Sequence, residues 1–459
     1  MNDLNRRRLL KLAGLTAIAG FTSFTTYAEA SDDVLYLGRG DAVFDQHRQL
    51  YNKSLSFMPR VIAVCANEAG VQQAIKYAKA KGLHVTIKSG GHSFEGSCLN
   101  NDGLVIDLAP MNNMVLKADN SLVAQPAVKL KQINDYLLPK GRLLPAGSCG
   151  GVGLSGLTLG GGYGLFARQF GLTCDHLTGV RIVTKDGSVI DSDDMPELLW
   201  GCKGGGNGRF GVVTELRYRT VRMPATLYQH RFRAYKLTPA RAVQLCKSWF
   251  DITKSLPNYA FAAYVLNGKT LTVTVMATKN EAMHDVLAKF EAVMDKNDGL
   301  KPDPLPIGIK YYYGRKEPLN FKNLSAGYYK GFEDLEEGLE DLLAHSMATR
   351  GAVFQINTLG GAINTVDADA TAYPHRHQSY LGEAQCYWDK PEQASEKLTA
   401  MKIVQKKLHA MGVRDHYVNY PDSNIASPEQ AYFGKNLARL KALEKQLGFT
   451  AYSRMKGSD

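Results

Sequence analysis

From Pro59 onward the apolar positions fall into two successive patterns. RVIAVCA (60–66) and LHVTIKS (83–89) are short β-branched runs of strand length. Between them, NEAGVQQAIKYAKAKG (67–82) sets Val71, Ile75 and Ala78 at helical spacing, with Asn67 and Glu68 at its start and Gly82 at its end. Strand, helix and strand in succession predict an α/β unit. GLVIDLA (103–109), SLVAQPA (121–127), a helix over 128–141, GVRIVTKDGSVI (179–190) and GVVTELRYRTV (211–221) continue the mixed pattern. Asp186-Gly187, between two apolar runs, predicts a hairpin turn.

The period changes after Met223. FRAYKL (232–237), YAFAAYVLN (259–267) and TLTVTVMATK (270–279) alternate with period 2, around helix-like segments at 239–255 and 280–296. Residues 223–414 are therefore expected to form an antiparallel sheet with covering helices. The first domain is expected over 31–222, and the last stretch, 415–459, is expected to return to it. The class is α+β.

Three glycine-rich segments each abut an apolar strand of the first domain: KSGGHSFEG (88–96), PAGSCGGVGLSGLTLGGGYG (145–164) and GCKGGGNGRFGVV (201–213). Such segments let backbone approach a flat or phosphorylated ligand and offer N–H donors where side chains would collide. GVGLSG (151–156) matches a dinucleotide fingerprint, and Asp175 lies about where a ribose-binding acid would. The fingerprint needs a helix opening inside it, and Gly160-Gly161-Gly162 follow at once, so a nicotinamide site is not expected.

Composition narrows the partners. The chain has 459 residues, 44% hydrophobic, with a formal charge of +11 whose positive residues are scattered. Apart from Arg6–Arg8 there is no like-charge run and no aromatic-basic interleaving, so no nucleic-acid partner is expected. NRRRLLKLAGLTAIAGF (5–21) sets twin arginines before a modest apolar stretch, and Ala28-Glu29-Ala30 resembles a cleavage site. The layout predicts a twin-arginine signal over 1–30, transient contact with the Tat export machinery, no stable membrane association, and a periplasmic or secreted mature chain. Seven cysteines without paired spacing predict neither a disulfide framework nor a zinc site, and the metal expectation is none.

Taken in order, the three glycine tracts, YPHR (373–376), YVNYPD (417–422) and YFGKNLARL (432–440) resemble the berberine bridge enzyme-like FAD-linked oxidases of the vanillyl-alcohol oxidase/p-cresol methylhydroxylase superfamily. The resemblance implies a two-subdomain α/β FAD-binding domain of PCMH type beside the substrate domain. It implies that His92 is bonded to the flavin and that Cys149 forms a second tether. The relatives continue Pro-Thr where this chain has Gly150-Gly151, and carry histidine where Leu157 stands. It places Ser89, Gly90, Gly91, Ser93, Val152, Gly153, Gly156, Gly160, Gly161, Gly162, Tyr163, Gly211, Val213 and Asn419 around the cofactor. Valine at 152, a position that gates oxygen in these relatives, points to an oxidase.

For the chemistry, the resemblance assigns the base to Tyr417, with Glu383 either the base itself or Tyr417's partner; Tyr163 and Tyr380 are weaker candidates. A tyrosine's ordinary pKa near 10 calls for a helper near neutrality. Asn357 stands where sugar oxidases of the family carry an aspartate, which weighs against a sugar substrate. Strand-like alternation in YVNYPD would put Tyr417 and Asn419 on one face. The expected activity is hydride transfer from an alcohol, sugar or similar small molecule to FAD, with O2 giving H2O2. A dehydrogenase with another acceptor, or a flavin-binding protein without oxidase activity, is the alternative.

Overall fold

The computed structural model describes residues 32–299 and 302–448; the twin-arginine segment lies outside them. The architecture is α+β, with a four-stranded, a five-stranded and a two-stranded sheet in the N-terminal half and one large antiparallel sheet in the second domain.

In the first sheet the strands lie in the order Val34–Gly38, Val61–Cys65, Leu104–Asp107, Val85–Lys88. The first pair is antiparallel and the others parallel. The helix Glu68–Ala80 makes the crossover, its Asn67 side chain accepting the Gly70 N–H as an N-cap. It buries Val71, Ala74, Ile75 and Ala78 against the sheet. The crossover carries the chain past Leu104–Asp107, which fills the gap between the two strands it joins, so the glycine turn after Lys88 emerges at a parallel strand's C-terminal end. That is where open α/β sheets place ligands.

The second sheet is antiparallel, ordered Met114–Leu116, Ser121–Ala124, Val212–Arg219, Leu177–Val183, Val189–Asp191. The hairpin expected at Asp186-Gly187 is present, with Gly187 at φ +88°. Residues 416–447 pack on this domain: Val418, Tyr432, Phe433, Leu440 and Leu443 share a core with Leu122, Val180, Ile182 and Leu216. The buried Arg209 guanidinium pairs with Glu444 at 2.6 Å and Glu429 at 3.2 Å, pinning that segment.

The large sheet runs Lys296–Asn297, Thr226–Ala234, Thr270–Ala277, Ala260–Asn267, Ala352–Thr358, Tyr380–Trp388, Asn320–Tyr329, all antiparallel. Period-2 alternation divides each strand. Leu324, Phe354, Ile356, Ala384 and Cys386 face a core with the helices Pro239–Thr253, Leu339–Ala348 and Ala394–Ala410. Phe321, Gln355, Glu383, Gln385 and Tyr387 face the other way, toward the first domain. No helix among the described residues is long and apolar enough to cross a membrane.

Two local expectations need correction. A helix, Leu154–Leu159, does open inside GVGLSG; the following glycines stop it after six residues rather than preventing it. The strands nearest it in sequence, Arg142–Leu143 and Leu177–Val183, belong to two different antiparallel sheets, so no parallel strand–helix–strand unit surrounds it. Residues 417–420 form a turn, closed by Tyr420 N–H donating to Tyr417 O at 2.9 Å, rather than a strand. No two of the seven cysteines are joined in a disulfide, and five of them are buried.

Candidate active site

The glycine tracts, the inward face of the large sheet and the 417–421 turn enclose a cavity of about 450 Å³. That is the size and position typical of a small-molecule or cofactor site. Ser89, Gly90, Gly91, His92, Ser93, Cys149, Val152, Gly153, Gly156, Tyr163, Gly211, Val213, Glu383, Tyr417 and Asn419 all line it. Gly160, Gly161 and Gly162 stand one layer behind, where they pack against Asn419, Tyr373 and Thr173 and so seat the tyrosine turn. Tyr380 faces the helix-side core, with its hydroxyl against Thr253, and is not part of the wall.

Backbone closeness explains the glycines. A Cβ on Gly90 would run into the Gly153 backbone, so the two turns press together main chain to main chain. Ser155 Oγ donates to Ser89 Oγ at 3.1 Å across the same junction. A Cβ on Gly151 would sit 2.8 Å from His92 Nε2, so the imidazole occupies the space that a side chain at 151 would need. Asn207 Oδ1 is buried in this wall without a protein partner, an acceptor awaiting a donor.

Electrostatics sort the titratable groups. Burial, with Lys129 nearby, pushes His92 down to about 4, leaving a neutral imidazole at pH 7. Burial and the neighbouring Glu383 charge raise the Cys149 thiol. Glu383 is pushed up to about 7, chiefly by burial, opposed by Gln385 Nε2, which donates to it at 2.7 Å, and by the neighbouring polar groups of Asn323 and Tyr420. The Tyr420 side chain lies between the Glu383 carboxyl and Tyr163, whose ring it meets edge-on with centroids 6.4 Å apart. Tyr417 is pushed up to about 12 by burial, although its oxygen accepts the Gly162 N–H at 2.9 Å, the Tyr163 N–H at 3.3 Å and Asn419 Nδ2 at 3.1 Å.

Other candidates leave the site. Asn357 is buried and accepts from Gln355 Nε2 at 2.7 Å. His375 and His377 diverge, the first buried against Tyr432 O and the second exposed. Asp175 pairs with buried Arg376 and belongs to the scaffold. Tyr51, Tyr420, Gln355 and Gln385 were not singled out from the sequence. Gln385 was legible as Glu383's i+2 neighbour on a strand, whereas Tyr51 lies in an aperiodic stretch.

Residues 59–193 match the family described as FAD binding domain, and 416–447 match berberine and berberine like. The chain is 26% identical to the FAD-linked oxidoreductase YgaK of Bacillus subtilis, over 88% of this chain and 92% of that one. The chain belongs to the berberine bridge enzyme-like FAD-linked oxidoreductases. Solved structures share the oxidoreductase's fold. Physcomitrella patens BBE-like 1 superposes with a TM-score of 0.83 at 22% identity, covering 90% of this chain and 94% of that one. A glucooligosaccharide oxidase from Acremonium strictum, described as carrying 6-S-cysteinyl, 8α-N1-histidyl FAD, does so with 0.82 at 20% identity, covering 90% and 94%. The residues fit FAD: a backbone cradle, an orphan acceptor, a neutral imidazole and a thiol meet in one cavity.

Proposed function

We propose that this oxidoreductase is an exported oxidase that takes a hydride from a C–H bond of a small-molecule alcohol, sugar or similar compound, passes the electrons to O2 and releases H2O2. His92 and Cys149 would tether its FAD. Two facts support that pairing: both side chains line the same cavity, and the Acremonium strictum oxidase of the same fold carries a histidyl and a cysteinyl linkage. When bound, the flavin would supply the hydride acceptor and the store from which O2 takes electrons.

The observation that carries the catalytic reading is Glu383, a buried carboxyl pushed up to about 7 on the wall opposite the glycine turns. A base is most effective with its pKa near the working pH. Glu383 takes the substrate O–H proton. Tyr417, held protonated at pH 7 by burial, keeps the position three N–H donors give it and offers its O–H to the substrate oxygen. Val152, a half-buried valine on the cavity wall, keeps the approach narrow yet open to O2. Arg6-Arg7 and the apolar stretch after them support export through the twin-arginine route.

A screen of alcohols, sugars and oligosaccharides on purified protein, with peroxide detection, tests this. At least one compound is expected to yield H2O2 in step with its oxidised product. Dye reduction without peroxide would make the protein a dehydrogenase, and no turnover of any kind would make it a flavin-binding protein.

A further inference from the structure

The half-buried His92 differs from the buried histidines in what holds it. His47 bonds the Asp107 carboxylate at 2.8 Å, and His176, His375 and His416 each bond a backbone carbonyl, at 2.9, 3.0 and 3.0 Å. The His92 ring instead lies on the face of Tyr51, centroids 4.4 Å apart and planes 17° from parallel. The Nε2 edge of the ring abuts Gly151, where a Cβ would come within 2.8 Å, so the imidazole rests its face on a tyrosine and its edge on a glycine.

Tyr51 is itself fixed from both domains. Its N–H donates to Gly91 O at 3.0 Å, tying it to the turn that carries His92. Its carbonyl accepts the Leu319 N–H at 3.0 Å, and its hydroxyl donates to Arg315 O at 3.3 Å. The same 313–319 segment covers Cys149: Tyr313 O accepts the Gly150 N–H at 3.0 Å, and Gly314 lies so close that a Cβ there would meet the Cys149 sulfur.

We propose that Tyr51 is a positioning residue for flavin attachment: its ring face fixes the imidazole plane of His92 so that one ring nitrogen points into the cavity. This rests on the reading that His92 is a flavin tether. Attachment joins an imidazole nitrogen to the flavin methyl carbon. One methyl C–H and the imidazole N–H are given up as protons, the two electrons released pass to O2, and the two protons complete H2O2. For that bond the nitrogen lone pair must face the methyl group, and an imidazole with no hydrogen bond to a carbonyl depends on a stacked ring for its orientation.

The test compares wild type with Tyr51→Phe, which keeps the ring face, and with Tyr51→Leu and Tyr51→Met, which remove it. Three quantities are read: total flavin in the native protein, flavin retained on the chain after acid precipitation, and the mass of the peptide containing His92. Tyr51→Phe is expected to match wild type. The Leu and Met variants are expected to hold flavin while the His92-linked fraction falls several-fold. Wild-type His92 linkage in either aliphatic variant would overturn the proposal. Two aliphatic replacements guard against one failing to fold. Absence of linked flavin from wild type itself would instead remove the attachment reading beneath it.

Discussion

Glu383→Gln is expected to slow substrate-driven bleaching of the flavin by about 10²- to 10⁴-fold, the usual worth of a positioned base. Glutamine keeps the volume of the side chain and can still meet the Gln385 and Tyr420 groups around it. What it lacks is a lone pair able to become a protonated carboxyl. The pH dependence gives the sharper signature. In wild type the base must be ionised, so the rate should rise as pH passes upward through about 7 and level off above, falling with the ionised fraction below. In Glu383→Gln that inflection should vanish, whereas Tyr417→Phe should slow the reaction and leave the inflection in place. Anaerobic stopped-flow over pH 5 to 9 reads both. A Glu383→Gln enzyme with the wild-type rate and the same inflection would take the base role from this residue.

Asp175→Ala is expected to lower stability by about 3–5 kcal/mol, because it strands a buried guanidinium. Arg376 has a side chain of 0% exposure and meets Asp175 through two bonds, 3.0 Å from Nη1 and 2.6 Å from Nη2. It also donates to Thr371 Oγ1 at 2.8 Å and lies over the Tyr373 ring at 4.9 Å. The Asp175 carboxylate in turn accepts the Leu172 N–H at 2.8 Å, so the substitution also loosens the loop after Gly171. Tyr373 packs on Gly161 behind Tyr417, which links this scaffold pair to the tyrosine turn. Urea unfolding followed by tryptophan fluorescence measures the loss. A shift below about 1 kcal/mol, as for a surface ion pair, would mean that water reaches Arg376.

The fold was legible wherever one period governed a segment. The alternation in YAFAAYVLN and TLTVTVMATK gave neighbouring antiparallel strands paired from Ala260–Ala277 to Asn267–Thr270, and the spacing in 67–82 gave the crossover helix. It failed where tertiary contacts decide. Tyr417 and Asn419 do point the same way, but through a turn whose side chains also bring Tyr420 to the wall, which alternation would have sent to the far face. Leu154–Leu159 is helical because Leu154, Thr158 and Leu159 are buried and the Thr158 hydroxyl meets Tyr218 at 2.8 Å; packing outweighs the glycines that follow. The glycine tracts announced a cradle, and the structure supplies the reason for each close approach. What no local pattern carried was the Tyr51 ring over His92, a contact between residues 41 positions apart with no periodicity around the first of them.

One measurement bears on the site most directly: precipitate the purified wild-type protein in acid, wash the pellet, and record its absorbance and the masses of its proteolytic peptides. The pellet is expected to be yellow, with flavin mass on the peptide containing His92 and on the one containing Cys149. A colourless pellet, with the flavin in the supernatant or absent from both, would contradict a cofactor bonded to this chain.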